Sequence, residues 1–214
     1  MEITREAFRF LGARNHILEI LEARGFDVGA LIAESPEEVS ELFRDASKIH
    51  LTYYVPHTDD ESRKCKVLFG ASLVKLLDEV QKVHMDEEHP EKVVAGRDEV
   101  ILIVFGKLGS TDIKKTILRS RTLGLQIDAI HILNLQFNPL KHELVPEYEP
   151  VPVGGEEESE ILASVGVKKL RSFPLIRSYD VISRILGLRP NQFVKITSKS
   201  PVVRSTKVRV CIDG

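Results

Sequence analysis

Carboxylates stand beside two lysines at one place in the first half of the chain and beside an apolar run at another. Asp59, Asp60 and Glu61 precede Lys64 and Lys66, and Asp98 and Glu99 precede the apolar run at 100–105. Two carboxylates and a lysine converging at a strand end can hold Mg²⁺ and activate water, which is the chemistry of a metal-dependent nuclease. Here the first acids fall in a polar turn, and the spacing matches no specific motif. The seven histidines (16, 50, 57, 84, 89, 131 and 142) are scattered. His84 and His89, with Asp86 to Glu88 between them, have donor types suited to a divalent cation. Such ligands need rigid elements to fix them, and this stretch reads as solvated loop, so no metal is expected. Neither GxxxxGK[ST] nor GxGxxG after a strand occurs, so both phosphate-binding signatures are missing. Ser110 and Thr111 stand at the start of a helical stretch, where backbone N–H groups attract anions such as DNA phosphates. Capping is the plainer role for the same hydroxyls. Arg177, Arg184 and Arg189 cluster in one short segment; singly, each reads as solvated or locally paired. No catalytic constellation emerges and no cofactor is implied, which favours binding or assembly.

The composition narrows the class further. The 214 residues, 43% of them hydrophobic, suffice for one large domain or two small ones. No run of eighteen apolar residues occurs, so no membrane span is expected. The opening MEITREAFRFLGARN is acidic early and lacks the apolar core of a signal peptide. Cys65 and Cys211 are isolated, which supports neither a disulfide framework nor a four-ligand zinc site and fits a reducing compartment. The net charge of −2 hides an asymmetry. Residues 161–214 carry eleven Lys+Arg against two Asp+Glu, or +9, leaving −11 for the remaining 160. A basic end on an acidic body suggests different partners for the two halves, nucleic acid phosphates or an acidic protein surface for the basic one. A solvated basic face is the bland alternative.

Several elements must position these residues. Residues 4–24 read as a helix with Thr4 as N-cap, Phe8, Leu11, Ile17, Leu18 and Leu21 on one face, and Gly25 as the stop. Ser35, Pro36, Glu37 and Glu38 form a strong start signal for a second helix, which buries Val39, Leu42 and Phe43. Ile49 to Val55 and Lys66 to Phe69 read as a hairpin around the polar turn 57–62. A helix from about 71 to 84 and a charged loop from 84 to 98 follow. Val100 to Phe105 has the pattern of a strand buried on both faces. Ser110 or Thr111 caps a helix reaching about Leu123, and Ile127 to Leu133 is a further strand. Strand, helix, strand over 100–133 has the proportions of a right-handed βαβ unit. Three prolines and two glycines at 146–155 mark a domain boundary. Beyond it come a helix at 156–165, the segment FPLIRSYDVISRILGLRPNQFVKI at 173–196, and a strand near Lys207 to Ile212. The 173–196 segment reads as helix, glycine stop at Gly187, turn at Pro190 and Asn191, then strand. The expected fold is an α/β N-terminal domain over 1–140 followed by a small α+β C-terminal domain over 141–214.

The HELVPE sequence at 142–147, with Pro174, Ile176, Asp180, Arg184, Gly187, Val194, Lys195 and Ile196 in order, carries a resemblance. It is similar to the C-terminal domain of the fifth-largest subunit shared by nuclear RNA polymerases I, II and III, a domain with an archaeal counterpart. The resemblance extends more weakly to ILEILEARGFDV at 17–28, where Arg24, Gly25 and Phe26 match an RGY-type helix ending. It extends also to LTYYVPHTDD at 51–60 and to the strand, helix and strand of 100–133. Departures are clear as well. The family's TPSA helix start is Ser110, Thr111, Asp112 and Ile113 here. Its SETxGRY motif is reduced to Ser200 followed by PVVRST. Tyr179 replaces a glycine, Val181 a proline, and Tyr148 a histidine.

The resemblance implies a divergent, paralogous or viral member, and not the archaeal form, which lacks the N-terminal domain. It implies a nuclease-like α/β jaw domain without nuclease chemistry, placed near downstream double-stranded DNA. Ser110, Thr111, Lys114 and Lys115 would lie closest to that DNA, in sequence-independent, salt-sensitive contact. The C-terminal domain would anchor to the largest subunit among other polymerase subunits, with His142, Pro146, Glu147, Arg177, Arg184, Arg189 and Lys195 at the interface. The implied protein is non-catalytic and cofactor-free. It would act in the nucleus, or in the virion or host cell if the chain is viral. An active nuclease of the same fold and a free DNA-binding module are the alternatives.

Overall fold

A computed structural model describes residues 5–32, 51–165, 170–199 and 204–212. The expected Thr4 cap, the helix starting at Ser35, the hairpin residues 49–50 and the altered motif at Ser200 lie outside the described residues. The chain divides into two compact units, 1–137 and 138–214.

The first unit is built on a four-stranded sheet. Helix α1 (Arg5–Ala23) is followed by the one-turn α2 (Gly29–Ile32). Strands β1 (Leu51–Pro56) and β2 (Lys64–Gly70) form the expected hairpin, antiparallel from Leu51↔Phe69 to Pro56↔Lys64. Helix α3 (Leu73–Met85) leads through a long loop to β3 (Glu99–Val104), then α4 (Ser110–Leu123) and β4 (Gln126–His131). β2, β3 and β4 run parallel, so the strand order β1-β2-β3-β4 follows the sequence. Every residue of β3 is buried, as a strand covered on both faces requires. Leu68, Val100, Leu102, Ile127 and Ala129 on one face form a core with Leu73, Leu76, Leu77 and Val80 of α3. On the opposite face Phe69 meets Phe10 of α1 edge-on, with ring centres 5.0 Å apart.

Three expectations about this unit need correction. Phe8 is 69% exposed, because the buried stripe of α1 runs through Phe10, Ala13, Ile17 and Leu21, half a turn away. The strand expected at 127–133 ends at His131. There the His131 Nδ1 accepts the Leu133 N–H at 3.3 Å and opens a 3₁₀ turn over Ile132–Leu135. Helix α4 is capped by Gly109 and not by Ser110 or Thr111. Asp112 accepts the Gly109 N–H at 3.1 Å, so the helix starts one residue before the hydroxyls can cap it.

The second unit has its own sheet. Its elements are β5 (Glu147–Pro150), α5 (Glu156–Val165), β6 (Leu175–Arg177), α6 (Val181–Leu186), β7 (Phe193–Thr197) and β8 (Thr206–Ile212). The order is β5-β7-β8-β6, with β6 parallel to β8 and the other pairs antiparallel. Phe173, Phe193, Val210 and Ile161 pack on one face, and Ile176, Val194, Cys211 and Leu188 on the other. Residues 146–155, expected as a boundary, instead contain strand β5. It is an edge strand, where Pro150 withholds no hydrogen bond from a neighbour beyond it. The 173–196 segment folds in the expected order. Asp180 caps α6 by accepting the Ile182 N–H at 2.9 Å. Gly187 ends it in the left-handed region (φ 65°), with the Leu188 N–H bonded to the Ser183 carbonyl at 2.9 Å. Asn191 turns the chain at φ 71°, a conformation asparagine tolerates, and its N–H bonds the Cys211 carbonyl.

Candidate functional site

Three of the five acids that suggested metal chemistry, Asp60, Asp98 and Glu99, are engaged by donors that have nothing to do with a metal. Asp98 accepts the Val94 N–H at 2.8 Å through Oδ2 and the Lys64 N–H at 3.1 Å through Oδ1. The Arg97 guanidinium bonds both of its oxygens, and this hydrogen bonding raises the pKa of Arg97. Glu99 receives Arg24 on Oε2 at 2.7 Å and Arg63 on Oε1. Asp60 accepts the Ser62 N–H and hydroxyl, and these bonds hold its carboxyl below the ordinary range. Carboxylates whose oxygens face guanidinium groups cannot also bind a divalent cation. The nuclease alternative therefore lacks support. His84 Nδ1 donates to the Val93 carbonyl at 2.8 Å, and His89 Nδ1 accepts the Glu91 N–H at 3.1 Å, so each histidine pins its own loop. No group of three or more His, Cys, Asp or Glu is placed to hold a metal among the described residues.

The Arg24–Gly25–Phe26 ending of α1 is a structural corner. Arg24 reaches Glu99, 75 residues away. Gly25 adopts φ 85°, and its carbonyl accepts both the N–H and the hydroxyl of Thr58. Phe26 is buried edge-on against His57, with the Arg63 guanidinium 5.5 Å from its ring centre. Beside it, burial pushes the Cys65 thiol well above its ordinary pKa, so the thiol is inert.

The four DNA-proximal candidates share the first turns of α4. Ser110, Thr111, Lys114 and Lys115 are all exposed there. The chain enters this helix at the carboxyl end of β3, tight against the β2–α3 turn: a Cβ on Gly106 would stand 2.5 Å from the Ala71 carbonyl oxygen. In open parallel sheets ligands gather beside the carboxyl ends of the strands. The acidic Asp112 is turned to the Gly109 N–H and lies 3.9 Å from Lys115.

The seven interface candidates are spread over the second unit. His142 begins a turn: its Nδ1 accepts the Leu144 N–H at 3.2 Å and its carbonyl accepts the Val145 N–H. That turn leaves Leu144 88% exposed. Pro146 leads into β5, where Glu147 lies 3.7 Å from Arg204. Arg177 is exposed on β6, the opposite edge of the sheet from β5. Arg184 is buried in α6, and Lys195 is paired with Glu157 of α5. Arg189 is exposed at the turn after α6, its N–H bonded to Gln192 Oε1 at 2.9 Å.

The candidate set omits residues that the sheet aligns. Tyr148, Ile196 and Lys207 are neighbours across β5, β7 and β8, and Val194 stands beside Arg209 in the next register. Lys207 and Arg209 are exposed, and the alternation T-K-V-R-V was the available signal.

Comparison with known proteins places this second unit. A family model described as RNA polymerase Rpb5, C-terminal domain, matches residues 137–209. The chain is 38% identical over 81 residues to the DNA-directed RNA polymerase subunit Rpo5 of Sulfurisphaera tokodaii, spanning 37% of this chain and 93% of that protein. It is 35% identical over 74 residues to the protein of the same name from Sulfolobus acidocaldarius, covering 34% of this chain and 84% of the relative. A third Rpo5, from Archaeoglobus fulgidus, is 36% identical over 66 residues, with 31% and 83% covered. The relatives are spanned over most of their length, and the family match runs from just before the HELVPE turn into β8: the chain belongs to the RNA polymerase Rpb5 family.

Proposed function

We propose that this protein is a non-catalytic, structural subunit of a multi-subunit DNA-directed RNA polymerase. Family membership carries the proposal, and the engagement of Asp98 and Glu99 by arginine and amide donors agrees with it. The C-terminal domain, 141–214, anchors the protein to the largest subunit. His142, Pro146, Glu147, Arg177 and Arg189 lie at or near the contact, and Arg184 and Lys195 hold that surface in shape. The N-terminal domain, 1–140, forms part of the jaw beside downstream duplex DNA. Ser110, Thr111, Lys114 and Lys115 face the phosphates, sequence-independently. Phosphodiester chemistry belongs to other subunits, and this chain needs no cofactor. The site of action is the nucleus, or the virion or host cell for a viral polymerase.

Affinity purification of the tagged chain from its native cells tests the assignment. Large polymerase subunits are expected at near-stoichiometric levels, and their absence overturns it. Replacing Lys114 and Lys115 with Glu tests the jaw contact within the purified polymerase. Photo-crosslinking of downstream DNA to this subunit should fall severalfold and show a shallower salt dependence; unchanged crosslinking removes these residues from the DNA path.

A further inference from the structure

Between β2 and the loop before β3 lies a recess of about 100 Å³, lined by Tyr54, Lys64, Lys66, Glu91, Lys92 and Asp98 among others. Lys66 occupies an inward position of β2, on the same face as the core residue Leu68. Its side chain is only 3% exposed. Among the described residues its ammonium makes no hydrogen bond. The Glu91 carboxylate lies 4.0 Å away, and the Tyr54 ring centre is 4.9 Å away. Burial of nearly the whole side chain disfavours the charged form and lowers the pKa of Lys66, while the residue itself lines the recess.

None of the acids around the recess hydrogen-bonds the Lys66 ammonium, and Glu91 meets it only as a 4.0 Å ion pair. Asp98 is engaged by Arg97 and by the N–H groups of Lys64 and Val94. Glu91 is half exposed and takes the Tyr54 hydroxyl. Glu79 of α3 acts on Lys66 only through its charge. Burial and Glu91 keep the Tyr54 phenol protonated far above its ordinary range, so it remains a donor when Glu91 turns outward.

We propose that this recess is a binding site for a small phosphate-type oxyanion. Lys66 is the buried donor, Tyr54 a second donor, and Lys64 and Lys92 are cations at the rim. The anion replaces Glu91 opposite Lys66 and ties the loop before β3 to the hairpin. Charge-assisted hydrogen bonds from ammonium groups are the strong kind such a site requires. The recess is too small for a sugar or base, so the ligand is a free ion or a terminal phosphate group.

The test uses the full chain, titrated with inorganic phosphate and, separately, with adenosine 5′-monophosphate, at ionic strength held constant with potassium chloride. Amide chemical shifts report the site. Saturable shifts at residues 54, 64–66 and 91–93 in the millimolar range are expected. Lys66→Met should weaken binding at least about tenfold, and Glu91→Gln, which removes the competing charge from a half-exposed position, should tighten it severalfold. Binding of phosphate alone sustains the site with a free ion as its ligand; tighter binding of the monophosphate sustains it with a nucleotide terminus. Shifts that do not saturate, equal binding by wild type and Lys66→Met, or weaker binding by Glu91→Gln each overturn the proposal.

Discussion

Arg24 and Glu99 join the end of the first helix to the start of the central strand by a 2.7 Å ion pair, with the carboxylate side chain 4% exposed. Arg63, from the hairpin, closes on the other oxygen. Glu99→Ala leaves two guanidinium groups without their acceptor, and breaking a buried pair from one side typically costs about 3–5 kcal/mol. Urea denaturation of this variant should show a loss of roughly that size with an unchanged m-value. A loss below about 1 kcal/mol would show that solvent already reaches the group.

Gly25 is the neighbouring point of constraint. Its φ of 85° disfavours any side chain, and an added Cβ would meet His57 Nε2 at 3.0 Å. Gly25→Ala should cost about 1–3 kcal/mol. In a double-mutant cycle, His57→Ala should recover the steric part and leave the backbone part. Full recovery would place the whole cost in the ring contact.

Lys66 gives stability a pH signature with a defined sign. Burial lowers its pKa from the ordinary 10.5. Below the lowered value both states hold the proton, and the native state carries the full penalty. Between that value and 10.5 the native state has released the proton while the unfolded chain keeps it, so stability rises with pH. Lys66→Met lacks this penalty. In phosphate-free buffer it should exceed wild type by on the order of 1 kcal/mol at neutral pH, and the gap should close towards alkaline pH. A gap independent of pH would mean that packing, not charge, separates the two proteins.

In the second unit, Arg177 and Arg189 are exposed and Arg184 is buried. Charge reversal at the first two should leave the melting temperature within a degree or two and reduce recovery of large polymerase subunits several-fold in pull-downs. Arg184→Ala should instead destabilise the unit by roughly 2–3 kcal/mol, because packing of its aliphatic stem is lost with its polar contacts. Equal effects of all three on stability would remove the distinction.

Much of this architecture is written locally in the chain. The EVILIV run allows only a doubly buried strand, and Gly25 and Gly187 stand where left-handed stops are required. What escapes local reading has a common cause. β5 and β6 have four and three residues, too few for a period to register, and β5 carries a proline. Phe8 is apolar but lies off the stripe, and only the position of the sheet decides that. The Arg24–Glu99 pair joins residues 75 apart, and nothing near either foretells it. The burial of Lys66 depends on the loop that closes over β2. Similarly, the interface candidates follow one another along the chain, while the β5-β7-β8-β6 order carries them to opposite edges.

That strand order bears on how the protein is made. The first sheet adds strands in the order in which they leave the ribosome, so each new strand finds its neighbour already present. In the second sheet, among the described residues, β8 is the only strand paired with β6, and it also pairs with β7. Strand β6 must therefore wait some 30 residues of synthesis, a few seconds at ordinary elongation rates, before it can be held. A nascent chain halted before residue 206 would present a finished first unit and an open second one. Docking that requires the second unit would thus be restricted to chains translated through β8.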